Sequence, residues 1–287
     1  DFIAYFEPTD PTELKKYGCL YIIADGVGGA AQGERASQYA AEKILFDYYH
    51  HFEPDPDSPD PGLIEPLGHL RSILKRVNED IFDYATQNKL RMATTIVVAV
   101  VREGFLYVAN VGDSRAYLIR DGVAEPINRD HSLVGEMVEN GEITEAEAMA
   151  SSIKNRLTRS LGGDPDVIVD GYPPLQLQSG DKILLCSDGL TRYALKKDIA
   201  SMTMEGTPQE IEQRLIKFAN DSGGADNVSV IVVAYKPEWA LELPPFSARR
   251  CPRQASHSAA PRMRFPLAVR RTPSGAASLR DSSRRPR

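Results

Sequence analysis

The sequence predicts an α+β layered fold, and three observations lead there. β-branched and aromatic runs at residues 93–102, 104–111 and 114–120 follow one another closely. The dipeptides Glu103-Gly104 and Asp121-Gly122 close them as hairpin turns, which makes an antiparallel meander. Helical blocks bunch before and after this meander, a pattern of layered sheets and helices and not of a doubly wound parallel sheet.

Each element has its own signal. Cys19–Ala24 (CLYIIA) is a short apolar strand that ends at Asp25. Residues 33–52 predict a helix with Ala36, Ala40, Ile44, Leu45 and Tyr48 on one face. Pro54, Pro56, Pro59 and Pro61 force a loop over residues 55–62. Leu67, Leu70, Leu74, Val77 and Ile81 are spaced by three and four, the period of an amphipathic helix of about four turns or more. Short helices and loops are expected over 128–165, strands at 167–172 and 181–187, and helices at 195–203 and 207–221. A last strand is expected over Asn227–Tyr235. No internal repeat is visible.

Composition narrows the class. The 287 residues are 42% hydrophobic and 26% charged, enough apolar material for a sizeable core. The longest apolar runs, such as Thr95–Val101, hold about seven residues, whereas a spanning helix needs roughly 20, so no membrane association is expected. There is no signal peptide, and the abrupt start at Asp1 reads as a fragment lacking its true N-terminus. Three separated cysteines, Cys19, Cys186 and Cys251, make neither a disulfide framework nor a zinc motif, which points to a reducing, cytoplasmic compartment.

Charge is unevenly spread. Residues 246–287 hold 11 Arg against one acidic residue, Asp281, a net +10 that leaves −16 on residues 1–245 of the total −6. The acidic body argues against nucleic-acid binding by the fold and suits a protein that concentrates carboxylates around cations. The segment 238–287, rich in Arg, Pro and Ser, is expected to be a disordered tail, leaving residues 1–237 as the domain.

Four short motifs carry the chemistry. Asp25-Gly26-Val27-Gly28-Gly29 follows an apolar strand, and the bare Gly26 lets its carbonyl approach a metal closely. Asp113 lies in Val111-Gly112-Asp113-Ser114-Arg115, between two strands. Asp188-Gly189 follows the apolar run Leu184–Ser187, and Asp226 stands immediately before the strand Val228–Ala234. Each motif alone is also what an ordinary turn looks like. Together they bring several carboxylates to strand ends, where mutual repulsion resists ionisation unless cations enter. Oxygen-only ligands favour Mg²⁺ or Mn²⁺, and the His and Cys clusters that zinc prefers are missing. Two such ions roughly 3.5–4 Å apart would acidify a shared water for in-line attack on phosphorus. No Cys-x5-Arg loop, Walker loop or Gly-x-Ser-x-Gly elbow offers another chemistry.

At these residues the chain resembles the metal-dependent protein phosphatases (the PPM family, type 2C serine/threonine phosphatases), most closely their compact bacterial branch. The matching segments are ADGVGG at 24–29, GERAS at 33–37, VGDSRAYL at 111–118, RDHS at 129–132, NRLTRSLG at 155–162, SDGL at 187–190 and ADNVSVIVV at 225–233. They stand in family order across about 235 residues. The resemblance implies a four-layer sandwich of two antiparallel sheets flanked by helix pairs. It implies that Asp25, Asp188 and Asp226 ligate a pair of Mn²⁺ or Mg²⁺ ions with the Gly26 carbonyl, and that Asp113 helps hold a weaker third ion. Asp1 matches the last residue of an early family element whose Asp hydrogen-bonds metal-bound water. Residues 130–165 correspond to a flap beside the site. The implied activity is hydrolysis of phosphoserine and phosphothreonine in proteins, with phosphorylated targets of a Ser/Thr kinase as partners and a monomeric state.

Two departures stand out. Where many relatives carry a His after the DGxGG motif as leaving-group acid, this chain has Ala30. The upstream Arg that grips substrate phosphate is absent, and the first Arg here, Arg35, is expected on a solvent-facing helix surface. His131, in the flap-side motif, reads as a satisfied loop histidine and not as a replacement acid. These departures motivate the alternative of a pseudophosphatase, a signalling module that binds a partner without turnover.

Overall fold

Apolar runs that do not alternate become strands buried on both faces. The computed structural model describes residues 1–28, 30–51 and 65–236. Its elements open with β1 (Phe2–Phe6), α1 (Pro11–Tyr17), β2 (Cys19–Ala24), the two-residue β3 (Gly26–Val27) and two long helices, α2 (Ala30–His50) and α3 (Pro66–Gln87). The strands β4 (Ala93–Thr94), β5 (Ile96–Arg102), β6 (Phe105–Val111), β7 (Arg115–Arg120) and β8 (Val123–Pro126) follow. Then come α4 (Leu133–Glu139), α5 (Glu145–Ala150), β9 (Asp170–Gln176), β10 (Lys182–Cys186) and a single turn, α6 (Asp188–Thr191). The chain continues through α7 (Lys196–Thr203) and α8 (Pro208–Asp221) to β11 (Val230–Ala234).

The strands form a five-stranded sheet in the order β1-β2-β5-β6-β9 and a four-stranded sheet in the order β11-β10-β7-β8, with β3 and β4 paired apart. Every pairing is antiparallel. The two-residue period of the strands divides their side chains among three cores. Leu20, Ile22, Val98 and Val100 pack beneath α2 and α3 with Ile44, Leu70 and Val77. Tyr21, Ile23, Val97, Leu118, Ile183 and Leu185 meet between the sheets. Tyr117, Ile119, Leu184 and Val232 pack against Ile199, Ile211 and Leu215 of α7 and α8. Three cores make four layers, helix–sheet–sheet–helix, which is the predicted sandwich. Burial on both faces explains why these strands read as continuous apolar runs.

Several expectations are corrected. The meander is not one sheet: β5 and β6 pair in the first, while β7 and β8 pair in the second. The chain changes sheet at Gly112–Ser114, where Gly112 has φ 109° and a β-carbon would lie 2.5 Å from Thr95 Cβ. The run 93–102 breaks at Thr95, whose N–H donates to the Asp25 carbonyl at 2.8 Å instead of continuing a ladder. The strand expected at 167–172 is displaced to β9, and Pro173 and Pro174 sit where proline is tolerated, on a sheet edge. The last strand begins at Val230, so Asp226 lies in a loop and not at the strand's start. Helix α2 starts three residues before residue 33. The elements β1, α1, β3, β8 and α6 are additional to those that the sequence predicts. The proline-rich loop over residues 55–62 and the Arg-rich tail lie outside the described residues.

One polar contact ties the second sheet to its surroundings. Buried Asp181 accepts from Arg120 Nε at 2.9 Å, from Arg120 Nη2 at 2.7 Å and from the Gln178 N–H at 2.7 Å. Burial alone would raise its pKa, but these donors outweigh burial and hold the carboxyl below the usual range. Its folded pKa is depressed, so its stabilisation is complete above the unfolded value near 3.8 and is lost as pH falls through the folded value. Asp181→Asn is expected to cost about 1–3 kcal/mol at neutral pH, read by urea unfolding. The variant's shortfall relative to wild type should shrink below about pH 3.8.

Candidate active site

The site is assembled from strand ends. Asp25 follows β2, whose residues are all buried, so the strand delivers it with little freedom. Its backbone is held by side chains across the sheet. The Thr94 hydroxyl donates to the Asp25 carbonyl at 2.8 Å, and the Asp25 N–H donates to Thr95 Oγ1 at 3.2 Å. Gly26 meets Gly33 of α2 backbone to backbone: a β-carbon on Gly26 would lie 2.2 Å from the Gly33 carbonyl. Phe2 stands opposite Ala24 in the β1–β2 register, which sets Asp1 beside Asp25.

Asp188 opens α6 directly after β10. Ser187 anchors this junction through its N–H to the Ser229 carbonyl at 3.0 Å, and the Ser229 N–H returns to Ser187 Oγ at 3.0 Å. Gly189 packs so tightly on the Asn227 carbonyl that a β-carbon would come within 2.0 Å of the oxygen. That contact ties the Asp226 loop to the end of β10. Asp113 is buried between β6 and β7, and neighbouring Ser114 shares a 2.7 Å hydroxyl contact with Thr95.

Asp25, Asp113, Asp188 and Asp226 lie within electrostatic reach of one another. Burial first, then the charges of Asp188 and Asp113, and more weakly that of Asp226, push the Asp25 pKa well above the ordinary carboxylate value. Burial, Asp188 and Asp130 do the same to Asp113, against the pull of Arg115. Two carboxylate oxygens at the site, Asp1 Oδ2 and Asp188 Oδ1, are buried without a hydrogen-bond partner. Among the described residues no group of three or more Asp, Glu, His or Cys side chains is arranged to hold a metal ion as it stands. Instead the Arg192 guanidinium lies between two of the carboxylates, with Nη2 at 2.5 Å from Asp188 Oδ2 and 2.9 Å from Asp226 Oδ2. Oxygen donors only, unpartnered buried carboxylate oxygens and strong mutual repulsion together fit hard divalent cations.

The structure thus gathers Asp25, Asp113, Asp188 and Asp226, and the strand register places Asp1 at their edge. Sequence reasoning missed Arg192 and Asp130. Arg192 stands four positions after Asp188, a spacing it shares with ordinary solvated helix pairs, so nothing local marks it. Asp130, within the RDHS segment, pairs with Arg115 at 2.6 Å and leaves its Oδ1 buried without a partner. A cavity of about 300 Å³ runs from Asp113 and Asp188 past Val134 and Val138 of α4 to Met149 of α5.

His131 is indeed a satisfied loop histidine. The Gly112 N–H donates to its Nδ1 at 3.1 Å, and Nε2 lies 3.1 Å from Asp170 Oδ2. This arrangement fixes the neutral ring with its proton on Nε2. Burial and then Arg159 lower its pKa, against the pull of Asp170. Below the unfolded value near 6.5 the unfolded chain binds a proton that the native ring resists, so this contribution to stability falls as pH falls to the folded value. His131→Gln is expected to remove that dependence in urea melts below about pH 6.5 and to cost about 1–3 kcal/mol at pH 7. Arg35 is exposed, as expected, and donates to Tyr84 Oη at 3.1 Å.

The family model described as Protein phosphatase 2C matches residues 11–219. The serine/threonine phosphatase stp of Listeria monocytogenes is 36% identical over 220 residues, which span 75% of this chain and 83% of that protein. The crystal structure of the serine/threonine phosphatase Stp1 from Staphylococcus aureus superposes with a TM-score of 0.69 at 30% identity, covering 82% of this chain and 88% of that one. The catalytic domain of the serine threonine protein phosphatase PstP, solved in complex with two manganese ions, gives a TM-score of 0.62 at 32% identity, covering 74% of this chain and 86% of that one.

Proposed function

Since the chain belongs to the protein phosphatase 2C family, we propose that it hydrolyses phosphoserine and phosphothreonine in proteins at the aspartate cluster around Asp25 and Asp188. The observation that carries this reading is the convergence of Asp25, Asp113, Asp188 and Asp226, with buried carboxylate oxygens that lack partners.

Asp25, Asp188 and Asp226, with the Gly26 carbonyl, would hold a pair of Mn²⁺ or Mg²⁺ ions, and Asp113 would serve a weaker third. When bound, the ions supply Lewis acidity toward the phosphoryl oxygens and acidify a water nucleophile. Asp1, beside Asp25, would accept a hydrogen bond from such a water, a role that its unpartnered Oδ2 supports. The Thr94 and Thr95 contacts fix Asp25, and the Ser187–Ser229 pair fixes Asp188, so the carboxylates are oriented before substrate arrives. The cavity beneath the flap receives the substrate polypeptide beside Asp113 and Asp188. With Ala30 at the family's His position and both His131 nitrogens engaged, the leaving-group proton comes from solvent.

The catalytic unit spans residues 1–237, with 238–287 as an appended basic tail. The reading includes a cytoplasmic, monomeric enzyme opposing a Ser/Thr kinase. No helix among the described residues is long and apolar enough to cross a membrane. Against the pseudophosphatase alternative, Asp25, Asp188 and Asp226, the residues proposed as metal ligands, are all present. Purified protein should hydrolyse a phosphothreonine peptide with Mn²⁺ and stop in excess chelator. Undiminished turnover in chelator would refute the metal-assisted reading.

A further inference from the structure

Arg192 caps the end of α6 and is in direct contact with both Asp188 and Asp226. Its Nε donates to Asp188 Oδ2 at 2.9 Å and its Nη2 reaches Asp226 Oδ2 at 2.9 Å. Arg192 and Asp188 are only 18% and 15% exposed, so their pairing is largely desolvated, whereas Asp226, 39% exposed, meets the guanidinium from the solvent side. Asp188 Oδ1 meanwhile has no hydrogen-bond partner. The guanidinium therefore occupies one oxygen on each of two carboxylates assigned to the metal pair, and it supplies positive charge where the fold has concentrated negative charge.

We propose that Arg192 is a built-in counter-cation that stabilises the metal-free site and competes with the divalent ions for Asp188 and Asp226. The inference rests on the reading of these residues as metal ligands. A guanidinium and a metal ion cannot share the same carboxylate lone pairs at full strength, and their charges repel. Metal uptake must then break the Arg192 contacts, and the work of breaking them weakens apparent metal affinity. The displaced side chain has somewhere to go, because Arg192 also borders the cavity that runs from Asp188 toward α5. In exchange, the metal-free protein avoids facing Asp188 and Asp226 across an unneutralised gap.

The test compares wild type, Arg192→Gln and Arg192→Lys by calorimetric titration with Mn²⁺ and by thermal melting in excess chelator. Arg192→Gln should bind Mn²⁺ on the order of tenfold tighter or more, the scale of a lost charged hydrogen-bond pair. It should also melt at lower temperature in chelator and gain more from added Mn²⁺ than wild type does. Arg192→Lys keeps the charge but loses the two-pronged fork, so its affinity should fall between the two. Should Arg192→Gln fold only when Mn²⁺ is present, that supports the stabilising role, and the Lys variant then reports the affinity shift. Mn²⁺ affinity equal to or weaker than wild type in a folded variant overturns the inference, whatever the melting shows. Absence of Mn²⁺ binding by wild type itself overturns the underlying metal reading, and the inference with it.

Discussion

Asp188→Asn is expected to lose at least about 10²–10³-fold in kcat/KM toward p-nitrophenyl phosphate and a phosphothreonine peptide, while remaining folded. The size follows from where Asp188 sits. It is the node of the cluster: its charge acts on both Asp25 and Asp113, and one of its oxygens is buried without a partner. An amide there keeps the shape and one acceptor but removes the charge that draws cations in. Folding should survive, because the junction around Asp188 is held by backbone bonds of Ser187 and by the Gly189 contact with the Asn227 carbonyl. Circular dichroism and melting of the variant separate loss of chemistry from loss of fold. Activity within a few-fold of wild type would remove Asp188 from the site.

The second large effect is structural and falls on the same site. Gly26→Ala would place a β-carbon 2.2 Å from both the carbonyl carbon and oxygen of Gly33. The obstacle is backbone in the first turns of α2, not the tip of a flexible side chain, so strand end and helix must separate. Overpacking of this kind costs about 3 kcal/mol or more. For a unit of this size that corresponds to a fall of roughly 6–12 °C in melting temperature. The separation also moves the Gly26 carbonyl and Asp25, so Mn²⁺-dependent turnover should fall with stability. A variant that melts within about 2 °C of wild type would show that the two glycines do not meet as described.

The layered fold was legible because its determinants are local. The spacing of Leu67, Leu70, Leu74, Val77 and Ile81 is the buried face of α3, and CLYIIA is β2, buried along its whole length. What the sequence hid was partnership between distant segments. Nothing local distinguishes a hairpin at Gly112–Ser114 from a crossover between sheets, since Gly at positive φ serves both. Strand β1 pairs along all five residues with β2, yet its sequence FIAYF is too short to stand out from loop. At the site, the aspartates were legible because strand ends and following glycines mark them. Arg192 was not, because a basic residue four positions after an acidic one is usually a solvated helix pair. Its meaning appears only when the Asp226 loop folds against it.

The central claim is that Asp25, Asp188 and Asp226 together hold the divalent ions. Anomalous diffraction at the manganese edge from crystals grown with Mn²⁺ tests it most directly. Manganese peaks within bonding distance of all three carboxylates are the predicted result. Peaks that leave Asp25 or Asp188 without a metal contact, or manganese bound only elsewhere, would contradict it.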